Sequence, residues 1–294
     1  MHIMITDSGV GGLSVFAYAE RFLRTYGSET PVRLTYVNAS PENDFGYNSM
    51  VSRKEKLEYF DRFLHIVSDA YSPDSIYLAC NTLAVLLPDT RFAKTGRVPV
   101  RGIVETGVNC LLRELERFPR SAATIFGTVT TIEEHTYPTL LQLKGIHENR
   151  IISQACPSLA DTISGDRQGL RTKEKIEKYV ALAIGKAQER TTSYLAYLAC
   201  THYAYRKEQF VSAFEGLGVD VMVLNPNELV IDDLFGEQKR KGTEIQKNND
   251  VEVEFVTRYK IPKQVLETIA YFLDDVSPKT VQAFTHYTYA PNLF

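Results

Sequence analysis

Two cysteines in matching surroundings carry the strongest chemical signal in the chain. Cys80 ends the apolar run Ile76-Tyr77-Leu78-Ala79 and is followed by Asn81-Thr82, while Cys200 ends Tyr197-Leu198-Ala199 and is followed by Thr201-His202. The tripeptide Leu-Ala-Cys is common to both. A short apolar run that stops at small polar side chains is the pattern of a buried strand delivering residues to the edge of a sheet. A thiol at that edge, beside the N-terminus of a following helix, is expected to have its pKa lowered, because the helix N–H groups favour the thiolate. Such a thiolate can take a proton from carbon. A second thiol on the opposite face of that carbon can return one, and the carbon is inverted. Asp7 and His202 are the side chains suited to hold or polarise the thiols. Asn81, Thr82 and Thr201 supply neutral donors for a carboxylate that gains negative charge as the proton leaves. A lone cysteine at a strand end is more commonly a small buried hydrophobe. The matched pair turns the reading towards catalysis, whereas Cys110, on a helical pattern, and Cys156, before a proline, read as packing residues.

Composition excludes several other classes. The chain has 294 residues and a formal net charge of -3, with Lys and Arg scattered among acids, so no basic stripe offers itself to nucleic acid. No apolar run approaches the roughly 20 residues that span a bilayer. The start Met-His-Ile-Met-Ile-Thr-Asp lacks the charged segment and cleavage site of a secretory leader, and a cytoplasmic location with no membrane partner is expected. Four cysteines without a CxxC pair argue against a zinc knuckle or a disulfide scaffold and for free thiols in a reducing compartment. The expected partner is a small molecule, and neither a metal nor a cofactor is implied.

Stepping along the chain, apolar runs alternate with helical periodicity. Strands are predicted at 2–6, 32–37, 75–79, 98–104, 122–126, 151–155, 194–199, 220–224 and 251–256. Helices are predicted through Tyr26, over 52–71, from just beyond Cys80 through Leu87, over 108–117, through Tyr137 to Leu143, over 172–188, from Arg206, and over 262–273. The polar stretch 236–250 reads as an exposed insertion or mobile loop. After the first strand, Asp7-Ser8-Gly9-Val10-Gly11-Gly12 is glycine-rich, which would let backbone approach a ligand. The spacing is not GxGxxG, so a nucleotide is not indicated, and a ligand-free turn stays open. The alternation predicts an α/β fold with mostly parallel sheets covered by helices, whose ligands lie beyond the carboxyl ends of the strands. Asp7-Ser8, Cys80-Asn81-Thr82, Gly127 to Thr131 and Cys200-Thr201-His202 all fall at such ends. The length suits two domains, and the spacing of the two cysteines suggests related halves with an active-site cleft between them.

Together these residues resemble the glutamate racemases of the cofactor-independent aspartate/glutamate racemase superfamily. Asp7-Ser8-Gly9-Val10-Gly11-Gly12-Leu13-Ser14 is similar to that family's opening DSGVGGLS, Cys80-Asn81-Thr82 to its CNT, and Cys200-Thr201-His202-Tyr203 to its CTHY. Gly127-Thr128 with Thr131-Ile132 and Tyr137 is similar to its GTxxTIxSxxY segment, and Ala155-Cys156-Pro157 to its ACP. The resemblance implies two pseudo-symmetric lobes, residues 1–105 with 211–294 and residues 106–210. It also implies racemisation of glutamate to supply D-glutamate for peptidoglycan, without cofactor or metal, by a homodimer. Carried over by position, Cys80 and Cys200 are the bases, acting on D- and L-glutamate respectively, and Asp7 and His202 assist. Ser8, Asn81, Thr82, Thr131 and Thr201 contact the substrate, as do Phe45 and Gly46, where Asp44-Phe45-Gly46 stands for the family's PYG loop.

The chain departs from the pattern at Asn38 (an aspartate there), at Asp44 and Phe45, at Glu134 (a serine), at Ser164 (a glutamate) and at Ala204 (a proline). Two further readings therefore stay open: a superfamily racemase acting on aspartate or another carboxylic acid, and a homologue that binds its ligand without turnover.

Overall fold

Each strand that carries a candidate residue is an apolar run buried on both faces, and these runs pair in parallel. The computed structural model describes residues 1–42, 45–187, 191, 193–240 and 250–294, the side chains of 237–240 excepted. The chain divides into two compact units, Met1–Ile103 with Asn227–Phe294, and Val104–Pro226.

The first unit opens with β1 (His2–Asp7), α1 (Leu13–Tyr26), β2 (Val32–Asn38), α2 (Arg53–Tyr71), β3 (Ser75–Leu78), the short α3 (Asn81–Ala84), α4 (Arg91–Thr95) and β4 (Val100–Gly102). Helix α5 (Ile103–Arg117) leads into the second unit: β5 (Ser121–Gly127), α6 (Val129–Glu133), α7 (Thr136–Leu143), β6 (Ile151–Ala155), α8 (Leu159–Ser164), α9 (Leu170–Ile184), β7 (Ser193–Ala199), α10 (Lys207–Glu215) and β8 (Asp220–Leu224). The chain then returns to the first unit through α11 (Pro226–Arg240), β9 (Val251–Thr257), α12 (Lys263–Leu273), α13 (Pro278–Thr285) and β10 (Thr288–Tyr289).

The sheet of the first unit runs β10-β9-β2-β1-β3-β4 and that of the second β6-β5-β7-β8, with every pairing parallel. The order β2-β1-β3-β4 recurs as β6-β5-β7-β8, so β5 takes the place of β1 and β7 that of β3. The second unit keeps α10 and β8, because β8 pairs with β7 from Ser193↔Asp220 to Tyr197↔Leu224, and the return therefore lies beyond the expected 210.

Several elements differ from expectation for local reasons. The helix after Cys80 is cut to α3 and a 3₁₀ turn at Leu87–Asp89, since Pro88 has no N–H to continue the α-helical hydrogen bonds. The strand predicted at 98–104 is only β4, because Ile103 already starts α5. His135 adopts left-handed backbone (φ 51) and splits the helix expected through Leu143 into α6 and α7. Thr201–Arg206 is a 3₁₀ turn ahead of α10. Helix α9 ends at Ile184, and residue 188 of the expected span lies outside the described residues. Residues 236–240, read as an insertion, complete α11, while 241–249 lie outside the described residues. Helix α13 and strand β10 are unforeseen, and β10 extends the first sheet beyond β9.

Where the signals are strong, the match is close. Ser52 caps α2 by accepting a hydrogen bond from the Glu55 N–H at 3.1 Å, Phe60, Phe63, Leu64 and Val67 face the core, and Ser72 ends the helix in left-handed backbone before Pro73.

Candidate active-site residues in the two units

In the first unit, parallel pairing of β1 with β2 and β3 brings three strand ends together. Asp7 is in register with Asn38 and Thr6 with Leu78, and the Ala79 N–H donates to the Thr6 carbonyl at 2.9 Å. Ser8 and Cys80 are thereby neighbours, with Oγ and Sγ 3.1 Å apart. Asn81 and Thr82 follow at once in α3, both buried.

Glycine at position 12 has a packing reason. A Cβ there would lie 2.8 Å from the Asp7 Cβ and 2.9 Å from that of Ala79, so only glycine lets the start of α1 close over Asp7 and the residue preceding Cys80.

The expected lowering of thiol pKa is overturned at Cys80, which is pushed up to about 12. Burial is the largest cause and the negative charge of Asp7 the next. Hydrogen bonds from the Ser8 hydroxyl and N–H and from the Leu83 N–H pull the other way and lose. A four-residue helix offers few aligned N–H groups, and a thiol 5 % exposed forfeits most of its hydration. At rest Cys80 is a neutral thiol.

The loop after β2 is organised by Asn38, whose Nδ2 donates to the Tyr259 hydroxyl at 3.0 Å and whose Oδ1 accepts from the Ser40 N–H at 2.9 Å. An aspartate could not make the first of these bonds as a carboxylate donor. Phe45 is 38 % exposed, Gly46 follows in extended backbone, and Asp44 lies outside the described residues. Tyr47, singled out by no motif, is 1 % exposed, with its ring set edge-on to Tyr59 and Phe60 of α2. A lone tyrosine directly after a glycine in a polar loop was the only trace it left in the sequence.

In the second unit the same construction recurs. Gly127 at the end of β5 is in register with Ala199 at the end of β7, so the turn at Thr128 and the Cys200 turn leave neighbouring strands. Thr128 caps α6, accepting from the Thr131 N–H at 3.3 Å, with the two hydroxyls 2.9 Å apart. Cys200, Thr201 and His202 are all buried, and the Cys200 Sγ lies 3.9 Å from Nδ1 of His202. That is a holding contact, longer than a bond along which a proton passes directly.

Cys156 packs as expected: its thiol donates to the Gln154 carbonyl at 3.6 Å, and burial pushes its pKa up. The Tyr203 hydroxyl donates to the Cys156 carbonyl at 3.3 Å, fixing the turn that carries His202. Cys110 is buried on α5. Ser164 bonds back to the Ala160 carbonyl at 3.2 Å and only completes α8, while Glu134 ends α6 and Ala204 lies in the 3₁₀ turn. Among the described residues no cluster of three or more His, Cys, Asp or Glu is placed to hold a metal ion, and no helix is long and apolar enough to cross a membrane.

Every described candidate thus lies at or just beyond the carboxyl end of a strand, except Phe45 and Gly46, which sit farther along the loop after β2. Asp7, Ser8, Cys80, Asn81 and Thr82 are grouped in one unit, and Thr131, Cys200, Thr201 and His202 in the other.

No protein-family model matches the chain. Among curated proteins it is similar to the glutamate racemase of Aquifex pyrophilus, 27 % identical over 230 residues that make up 78 % of this chain and 80 % of that one. Among solved structures it superposes on a glutamate racemase isoform from Bacillus anthracis with a TM-score of 0.71 at 21 % identity, over 92 % of this chain and 93 % of the other. The glutamate racemase of Francisella tularensis, solved in complex with D-glutamate, gives 0.69 at 19 % identity over the same shares. In sequence the chain is similar to glutamate racemases, and it has their fold.

Proposed function

We propose that the protein racemises glutamate, with Cys80 and Cys200 as the two bases. The observation that carries this reading is the equivalent placement of the two thiols: each follows the strand beside the leading strand of its sheet, in two sheets of the same order. Sequence relatives that are glutamate racemases, such as that of Aquifex pyrophilus, support glutamate as substrate.

The resting protonation of Cys80 suits one direction of the reaction. In the L to D direction the Cys200 thiolate removes the Cα proton of L-glutamate, and the Cys80 thiol delivers its own proton to the opposite face. The products are D-glutamate, a Cys200 thiol and a Cys80 thiolate, so protons balance, and the reverse reaction or exchange with solvent restores the start. The Cys80 thiolate, costly when alone, is met by the Ser8 hydroxyl at 3.1 Å and by the N–H groups of Ser8 and Leu83. His202 holds the Cys200 sulfur, Asp7 sets the charge at Cys80, and Asn81, Thr82, Thr131, Thr201 and the Phe45-Gly46 backbone bind the substrate. This chemistry uses no cofactor and no metal. The proposal extends to a cytoplasmic homodimer that supplies D-glutamate for peptidoglycan.

Incubation with L- and with D-glutamate in deuterium oxide, without added cofactor, tests it. Expected are deuterium at Cα, inversion in both directions, and loss of inversion in Cys80→Ala and in Cys200→Ala. Near wild-type inversion in either variant would sink the two-base mechanism. Activity on aspartate with none on glutamate would move the substrate to the shorter acid, a reading favoured by Phe45 and Asn38 standing where the family pattern has tyrosine and aspartate.

A further inference from the structure

The hydroxyl of Tyr47 is a buried polar group that nothing in the proposed mechanism uses. Among the described residues it has no hydrogen-bond partner, although the side chain is 1 % exposed. Such a group costs the fold its hydration and returns nothing, and each such group in a native protein asks for an explanation. The ring cannot swing away, because Tyr59 and Phe60 hold it edge-on with centroids 5.9 and 6.2 Å distant. The residue follows directly on Gly46 in the loop after β2, and Met50, buried, pins the far side of the 3₁₀ turn that carries it.

Its neighbours locate the hydroxyl. The groups whose charge bears on it are Tyr59, Cys80 and Arg62, so it sits within electrostatic reach of the Cys80 sulfur. Burial pushes its pKa well up, and it therefore stays a neutral donor at any physiological pH. A fixed neutral O–H near a thiol whose anion is already opposed by Asp7 is matched to an arriving anion that brings its own countercharge. An amino acid supplies this as a carboxylate beside an ammonium group.

We propose that Tyr47 is a substrate-binding residue whose phenol donates a hydrogen bond to a carboxylate of the amino acid bound at Cys80. The assignment rests on the racemase reading above, and the experiment separates the two. Tyr47→Phe deletes only the hydroxyl and keeps the ring contacts. Four quantities are compared with wild type: the ligand-free Tm, the Kd for L- and D-glutamate by calorimetry, and kcat and KM in both directions. Loss of one charge-assisted bond predicts a rise in Kd and KM of roughly tenfold to a hundredfold, with kcat changed several-fold less. The ligand-free Tm is expected to hold or rise, since an unpartnered buried hydroxyl is removed.

A Tyr47→Phe protein with wild-type Kd and KM would overturn the assignment while leaving the racemase reading intact. So would a fall in ligand-free Tm with no change in Kd, which marks a structural role. If wild type neither binds nor turns over glutamate, the same comparison with aspartate decides. Failure of wild type to bind either acid overturns both the assignment and the reading on which it rests.

Discussion

Cys80→Ser isolates the proton that burial and Asp7 hold on the Cys80 thiol. Serine nearly preserves the volume and the contact with Ser8 but does not titrate in the accessible range. In the folded protein Cys80 is raised from the ordinary thiol value of 9.0 to about 12. The folded state therefore keeps this proton between those values while the unfolded chain releases it. The sign follows directly. The contribution to stability is fully present below pH 9 and is lost as pH rises through 9 towards 12. Within that window the slope approaches about 1.4 kcal/mol per pH unit, so between pH 8 and 10.5 wild type should lose about 2 kcal/mol more than Cys80→Ser. The assay is urea denaturation of both proteins across that range, taking the difference at each pH. Cys156, Tyr137 and Tyr203, also raised by burial, titrate in both proteins and largely cancel in the difference. A difference constant to within about 0.5 kcal/mol from pH 8 to 10.5 would refute the reasoning. It would mean that Cys80 titrates alike in both states, and that burial and Asp7 do not raise its hold on the proton.

Gly12→Ala forces a methyl against Asp7 and Ala79 at 2.8 and 2.9 Å, and should lower racemisation at least roughly tenfold in kcat with about 1–3 kcal/mol of destabilisation, read by steady-state kinetics and urea melts. Gly107→Ala drives a Cβ into the Tyr197 hydroxyl and to 2.5 Å from its Cζ, under the buried pair in which the Tyr137 and Tyr197 hydroxyls lie 3.1 Å apart; about 3 kcal/mol should be lost, and Tyr197→Phe in the same chain should restore only part of it, because the ring carbon still clashes. Ser277→Ala removes the N-cap of α13 and the bond that Ser277 Oγ donates to the buried Glu20 at 2.6 Å, and should cost about 2 kcal/mol in urea denaturation with kcat unchanged.

The strands that carry the candidate residues were legible because a parallel strand buried on both faces writes itself as an unbroken apolar run, as in Ile76 to Ala79 and Tyr194 to Ala199. Helix α2 was legible for a different reason: Ser52 and Ser72-Pro73 mark its ends and an apolar stripe marks its inner face. What escaped is set by tertiary context. Strand β10 is two residues long, and its pairing with β9 at Thr288↔Val256 leaves no periodicity to read. Tyr203 looks like any aromatic residue until the fold sets its hydroxyl on the Cys156 carbonyl, and Tyr47 until the fold buries its hydroxyl with no partner among the described residues. The direction of the Cys80 shift was misjudged because spacing reveals a helix N-terminus but not its length, nor how deeply the sulfur is buried, nor that Asp7 ends the adjacent strand.

That misjudgement bears on the chemistry. A two-base inversion needs one sulfur protonated and the other ionised at the moment substrate arrives, yet the fold supplies two nearly equivalent strand ends. Equivalent sites would carry equivalent charge, so the difference must come from the side chains placed around each. The leading strand of the first sheet ends in Asp7, whose negative charge opposes a thiolate at Cys80; the corresponding strand of the second ends in Gly127, which carries none. Beside Cys200 stands instead an imidazole, His202, a group that can take up a proton. On the proposed mechanism, then, one carboxylate and one imidazole break the symmetry of a duplicated scaffold. Asp7→Asn should accordingly weaken the hold on the Cys80 proton, and the pH dependence of stability attributed to Cys80 should shrink with it.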